Sequence, residues 1–259
     1  MQTLVIILVA FTIAEMMFAM GLRLSFSELT GSFRNNPWLI LRAVVVNYLV
    51  IPVITLFIIK LFHLPLYAGA GLLILGVSPA APYGPPFTAI AKGNLPVSTG
   101  LMIILAGTSS FMVPLLLHLL LPVISTETHA IRIDPVKLVG TLFIIQLLPL
   151  CAGLGFGQWQ KRMTSLMLKP AGNLSKIMNG LLVVVIAILQ YTVVIRMSPH
   201  DLMIILILVF TGAVTGWIFG WPGRKNRISV SVITSMRNMS LSMGIAVASF
   251  PGSPPGRTS

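Results

Sequence analysis

An arginine stands in the middle of an apolar run. The stretch ISVSVITSMRNMSLSMGIAVASF, residues 228–250, carries Thr234, Ser235, Arg237, Asn238, Ser240 and Ser242 at its centre. A central arginine costs at least ~2.5–3.5 kcal/mol to place in a bilayer, and such residues face a cavity or a partner. A guanidinium is always charged, and its planar fork matches carboxylates and sulfates. Anion binding is the chemistry this stretch offers. The structural alternative is that Arg237 snorkels to a surface or ties to Glu15, the only acid inside an apolar run.

The second unusual stretch is LYAGAGLLILGVSPAAPYGPPFTAIAK, residues 66–92. Its first part, 66–77, is cleanly apolar but only about 18 Å long as a helix, too short for a core of about 30 Å. Pro79, Pro82, Pro85 and Pro86 follow, and each removes a backbone donor. Residues 87–91 are apolar again. The chain is therefore expected to cross as two half-helices around a broken centre. Such backbone survives at membrane depth only when buried in protein or lining an aqueous cavity. Half-helix ends put partial charges at the midplane, which suits ion or anion binding. The alternative is an outer loop between two shorter spans. Tyr83 in the broken centre offers an aromatic face or a hydroxyl, or packs on a neighbour. Ser78 and Thr88 are expected to satisfy freed backbone groups.

Other chemistries find little support. His63, His118, His129 and His200 are scattered, and no intramembrane acid pair is available for acid/base work. The chain is not expected to be an enzyme, and no metal or cofactor site is expected. The lone Cys151 excludes an intrachain disulfide. Gly153, Gly155 and Gly157 lack nucleotide-binding spacing and read as small residues for close helix packing.

The elements that position these residues follow from composition. Of 259 residues, 56% are apolar and 8% charged, against roughly 25% charged in soluble domains. The fold class is therefore an all-α polytopic membrane protein. The formal charge of +12 belongs to loops between apolar runs, not to a nucleic-acid face. Eight crossings are expected, at 3–22, 38–62, 66–92, 96–122, 136–157, 177–196, 202–221 and 228–250. With the N-terminus outside, the inner loops carry Arg23, Arg34, Lys92, Lys161, Arg162, Lys169, Lys176, Arg224, Lys225 and Arg227. The outer side carries half as many cations, which supports that orientation in a cell membrane, plasma or inner. Residues 158–176 read either as a short amphipathic helix on the inner surface or as a solvated basic loop.

Several segments resemble the sodium/bile acid symporter family: MFAMGLRLSFSEL and PWLILRAVVVNYLVIP within 17–52, LILGVSPAAPYGPPFTAIAKGN at 73–94 and RISVSVITSMRN at 227–238. The resemblance implies two inverted repeats, each with an interrupted helix, the two crossing near the midplane. The repeats are expected at 1–125, with the broken helix 66–92, and at 136–250, with the polar-centred crossing 228–250. Residues 251–259 form a tail. The resemblance further implies that the eight crossings are the family's second to ninth helices, and that the first and tenth are missing. An early stop or a frame shift near Gly252 is one expectation; a short carrier is the other.

The family's sodium ligands are implied to fall on altered positions. Its glutamate position falls on Ile233 and its glutamine on Arg237. A Ser-Asn pair falls on Gly84 and Pro85, polar positions of the next helix on Ser98 and Met102, and a glutamine on Asn47. Only Asn238, Asn47 and Ser98 remain polar. Two like charges 4 Å apart repel by ~4 kcal/mol at an effective dielectric near 20, so sodium beside Arg237 is disfavoured. The expected function is a secondary carrier of a small organic anion, not coupled to sodium in the usual way. A non-transporting remnant or a ligand-binding sensor is the alternative. The expected site is Asn47, Ser78, Tyr83, Gly84, Pro85, Ser98, Thr234, Ser235, Arg237 and Asn238. Its partners are the organic anion and the lipid bilayer.

Overall fold

The computed structural model describes residues 2–23, 37–79, 81–124, 134–189, 191 and 198–249. The tail at 251–259 lies outside them. All regular structure among the described residues is helical: α1 (Gln2–Leu22), α2 (Pro37–Leu61), α3 (Leu66–Val77), α4 (Gly84–Ile90), α5 (Leu95–Ile124), α6 (Pro135–Trp159), α7 (Lys161–Leu189), α8 (Pro199–Phe219), α9 (Arg224–Ser235) and α10 (Met239–Ser249). Four of these, α2, α5, α6 and α8, are long and apolar enough to cross a membrane.

The outer faces identify the solvent. On α2, Leu41, Leu49, Val53, Phe57 and Leu61 are all more than half exposed and recur in register every four residues. A stripe of that kind faces hydrocarbon, because water would penalise it. The opposite faces form the core. α5 is central, with Leu101, Leu105, Val113, Leu117 and Leu121 buried along one line.

Lipid tails are as apolar as leucine, so burial alone does not hold helices together in a bilayer; close packing must. Gly212 and Gly216 on α8 and Gly220 at its C-cap recur every four residues. A Cβ at Gly216 would stand 2.6 Å from the Ser231 Cα, and one at Gly220 2.6 Å from the Arg227 Cα. α8 and α9 therefore touch backbone to backbone. Gly21 and Gly153 do the same for α1 and α6, as does Gly157 against Leu22, whereas Gly155 faces open space.

α2 and α6 share one irregularity. Val46–Val50 and Phe143–Leu147 are π-turns, each followed by a proline at the second position of the next turn. Pro52 and Pro149 have no N–H to offer, and their rings press on the preceding turn. The chain widens to five-residue hydrogen bonds: the Ile51 N–H reaches Val46 O, and the Leu148 N–H reaches Phe143 O. Each widened turn turns one amide side chain inward. Asn47 and Gln146 are both fully buried.

One expectation needs correction. Of the two readings of 158–176, the loop does not hold: 161–176 is helical, and it is continuous with 177–189 rather than separate from it, while 190 and 192–197 lie outside the described residues. After a single break at Gln160, one helix runs from Lys161 through Pro170 to Leu189. Lysine is a good helix former, so Lys176 does not end it. The exposed apolar positions Met163, Leu166, Leu174, Ile177, Leu181, Val184 and Ile188 make one uninterrupted stripe across the expected boundary.

Candidate binding site at the crossing of two broken helices

Both unusual stretches are two helices each. α3 ends at Val77, and Ser78 turns extended (φ −99°, ψ 84°). α4 begins at Gly84, with prolines in its first turn, where a missing N–H leaves no unmet bond. In the second stretch α9 ends at Ser235, Met236 is extended (φ −83°, ψ 105°), and α10 begins at Met239. No proline interrupts this one. Asn238 restarts the helix by accepting the Leu241 N–H on Oδ1 at 3.0 Å, an N-cap bond.

The two breaks meet. The Asn238 N–H donates to the Ser78 carbonyl at 3.0 Å, so each break satisfies an orphan group of the other. A second lock lies at the far end of the same crossing. The Ser229 hydroxyl donates to the Asn94 carbonyl at 2.9 Å, and Asn94 Nδ2 donates to Asn226 Oδ1 at 2.9 Å. The loop after α4 is thereby fixed to the start of α9.

A buried polar group sits beside the crossing. Asn47 Nδ2 donates to the Ala43 carbonyl at 2.9 Å and to Thr234 Oγ1 at 3.2 Å. Its Oδ1 accepts from Arg237 Nη1 at 3.4 Å, a long bond. Arg237 is 7% exposed, and its Nη2 is buried without a hydrogen-bond partner. A buried guanidinium with an unmet donor is costly, by about 1–3 kcal/mol for a polar group and more for a charge. The structural alternatives for Arg237 are not seen. It does not reach a surface. Glu15 Oε1 instead accepts from the Ser175 hydroxyl at 2.8 Å, and the one ion pair among the described residues is the exposed Lys137–Asp134.

The other expected positions separate into two sets. Ser78, Thr234, Asn238, Asn47 and Arg237 come together. Gly84 and Pro85 are buried, and the Ile233 Cδ1 fills the place a Cβ on Gly84 would take. Ile233 itself packs among Val97, Leu101, Met102 and Val230, so this side of the crossing is apolar. Ser98 bonds its own helix through Leu95 O, Ser235 bonds Val232 O, and Ser78 Oγ and Thr88 Oγ1 likewise bond Ile74 O and Gly84 O. These hydroxyls satisfy backbone. Tyr83 accepts a hydrogen bond from Asn179 of α7, whose Oδ1 accepts from Ser240 at 3.4 Å.

Asn179 and Gln146 were not singled out in the sequence. Gln146 donates to the Ala106 carbonyl and to Ser109, joining α6 to α5. The signal was available: each is a lone amide in an apolar run, where hydrogen bonds between helices are the usual use.

Two interrupted helices meeting inside an all-helical bundle with long apolar helices define a polytopic membrane protein. The chain belongs to the sodium bile acid symporter family, whose model matches residues 10–197. It is similar to the probable chloroplastic sodium/metabolite cotransporter BASS1 of Arabidopsis thaliana, 26% identical over 88% of this chain and 54% of that protein. It is similar also to the hepatic sodium/bile acid cotransporter of Rattus norvegicus, 25% identical over 91% of this chain and 66% of that one. An uncharacterized sodium-dependent transporter of Bacillus subtilis, YocS, is 27% identical over 53% of the chain and 41% of its own length. The chain thus spans about half the length of the first of these relatives.

Proposed function

We propose that the protein is a membrane carrier for a small organic anion, held at the crossing by Arg237, and that it does not use sodium in the manner of its relatives. The observation that carries this reading is the buried Arg237 Nη2 with no partner, next to Asn47 and the joined helix breaks. An unmet, desolvated guanidinium donor is the group a carboxylate or sulfate oxygen would satisfy. The relatives' names speak of sodium, metabolites and bile acid, which supports transport and an organic solute.

The packing argues against a sodium ion at the same place. Sodium needs several oxygen ligands. Ile233 presses a methyl against Gly84 and belongs to one apolar cluster with Met102, Leu101 and Val97. A fixed cation already stands on the other side of the crossing. Arg237 would serve as the positive charge that a bound ion supplies elsewhere, so the anion would not need to recruit one.

The test is uptake of a bile acid, a steroid sulfate and a small carboxylate into proteoliposomes, in sodium and in choline. Uptake of at least one anion is expected in both salts. Arg237→Gln is expected to lower it by at least about thirtyfold, the loss of ~2 kcal/mol of charge-assisted hydrogen bonding. Uptake that requires sodium and survives Arg237→Gln would overturn the reading. Binding without uptake would favour a sensor.

A further inference from the structure

A basic cavity lies away from the crossing, where α1 ends against the first half of α7. Arg23, Lys169 and Lys176 line it with Leu168, Gly172 and Asn173, around a volume of about 370 Å³. That size falls in the ~300–1,000 Å³ range of small-ligand sites. The missing side chain of Gly172 is what admits the Arg23 guanidinium, which stands where a Cβ would be. None of the described lining residues is acidic. Glu15, further up α1, is held by Ser175 and is not part of the wall.

The cavity has an apolar flank. Leu166, Leu174 and Ile177 are 68%, 41% and 63% exposed, and they continue into the stripe of Leu181, Val184 and Ile188 along the same helix. Arg23 is the first residue past the end of α1, and Lys169 and Lys176 stand about two turns apart within α7, on the face beside the stripe. Cations gathered around one cavity, with an apolar track beside them on the same helix, match an amphiphile: an anionic head with hydrocarbon tails.

We propose that this cavity binds the phosphate headgroup of an anionic phospholipid, with its acyl chains lying along the α7 stripe. Arg23 offers a planar fork for the phosphate, and Lys169 and Lys176 add point charges. Asn173 is placed to hydrogen-bond the headgroup beyond the phosphate. The inner-side excess of cations would put the cavity in the leaflet that usually carries anionic lipid. The proposal does not depend on what the crossing transports.

The test is lipid binding to the full chain, purified in detergent and titrated with dioleoyl phosphatidylglycerol or dioleoyl phosphatidylcholine, read by native mass spectrometry. Phosphatidylglycerol is expected to bind at least about tenfold more tightly. Each lysine near a headgroup contributes roughly fivefold, so Lys169→Gln with Lys176→Gln should weaken it about 25-fold. Both lysines are exposed, so this variant keeps the fold. Removing Lys92 and Arg224, also basic but outside the cavity, is expected to change binding less than twofold. Glycerol phosphate at millimolar concentration should not compete. Equal affinity for the two lipids would overturn the proposal. So would equal losses in the two variants, which would mean diffuse surface charge, and so would competition by glycerol phosphate, which would mean a site for a soluble phosphate.

Discussion

The two broken helices reach the same geometry by opposite chemistry. The first, between α3 and α4, is broken by subtraction: Pro79, Pro82, Pro85 and Pro86 withhold donors until the helix cannot continue. The second, between α9 and α10, has no proline. It is broken by competition, as Asn238 caps the next helix and lends its own N–H to Ser78 across the crossing. The first break is neutral and apolar, closed by Gly84 against Ile233. The second carries Arg237. One crossing thus combines a neutral, apolar half with a charged, hydrogen-bonded half, and the proposed anion contact lies in the second.

The largest expected effect breaks the second half's support. Gly216→Leu must push α8 off α9, since even a Cβ would lie 2.7 Å from the Val230 carbonyl. Overpacking of this kind costs ~3 kcal/mol or more, and thermal unfolding in detergent should drop accordingly. Gly155→Leu, in open space, should stay within ~0.5 kcal/mol.

Arg237→Gln separates function from stability. Anion binding should fall by at least ~2 kcal/mol. The unliganded protein should lose no stability, because a buried donor without a partner is removed. A strongly destabilised Arg237→Gln would mean that Arg237 is a structural tie after all.

Gly84→Ala probes the dry half. The new methyl meets Ile233, and a destabilisation of ~1–3 kcal/mol is expected. Ile233→Val in the same chain should recover part of it, giving a coupling of about 1 kcal/mol in a double-mutant cycle. Additive effects would show that the two side chains do not share the space.

The smallest expected difference compares the caps. Asn238→Ala loses an N-cap, worth ~1 kcal/mol. Ser78→Ala should cost less than ~0.5 kcal/mol, since its hydroxyl bonds only its own helix while its carbonyl still receives Asn238. A reversal of that order would move the structural weight to the first break.

These contrasts also explain what was legible in the sequence. Prolines act locally, so the first break could be read directly from 78–86. The second break depends on a partner 160 residues away in the chain, Ser78 for Asn238, and only its polar content was visible. The continuity of α7 was hidden because a lysine-rich amphipathic half looks like a loop until its stripe is seen to run on past Lys176. The convergence of Asn47 on Arg237 and Thr234 came through the family resemblance. Tyr83, bound to Asn179 of α7, shows that membership of a broken segment does not decide which partner a side chain finds.

Ligand-dependent thermal stability tests the central claim most directly. The purified protein would be melted in sodium and in choline at matched ionic strength, with and without a bile acid, a steroid sulfate and a small carboxylate. A ligand at a hundredfold excess over its Kd stabilises the fold by about 2.7 kcal/mol. The fixed-cation account expects one of the anions to raise the melting temperature equally in both salts, and Arg237→Gln to abolish that rise. Stabilisation by sodium alone, retained in Arg237→Gln, would contradict it.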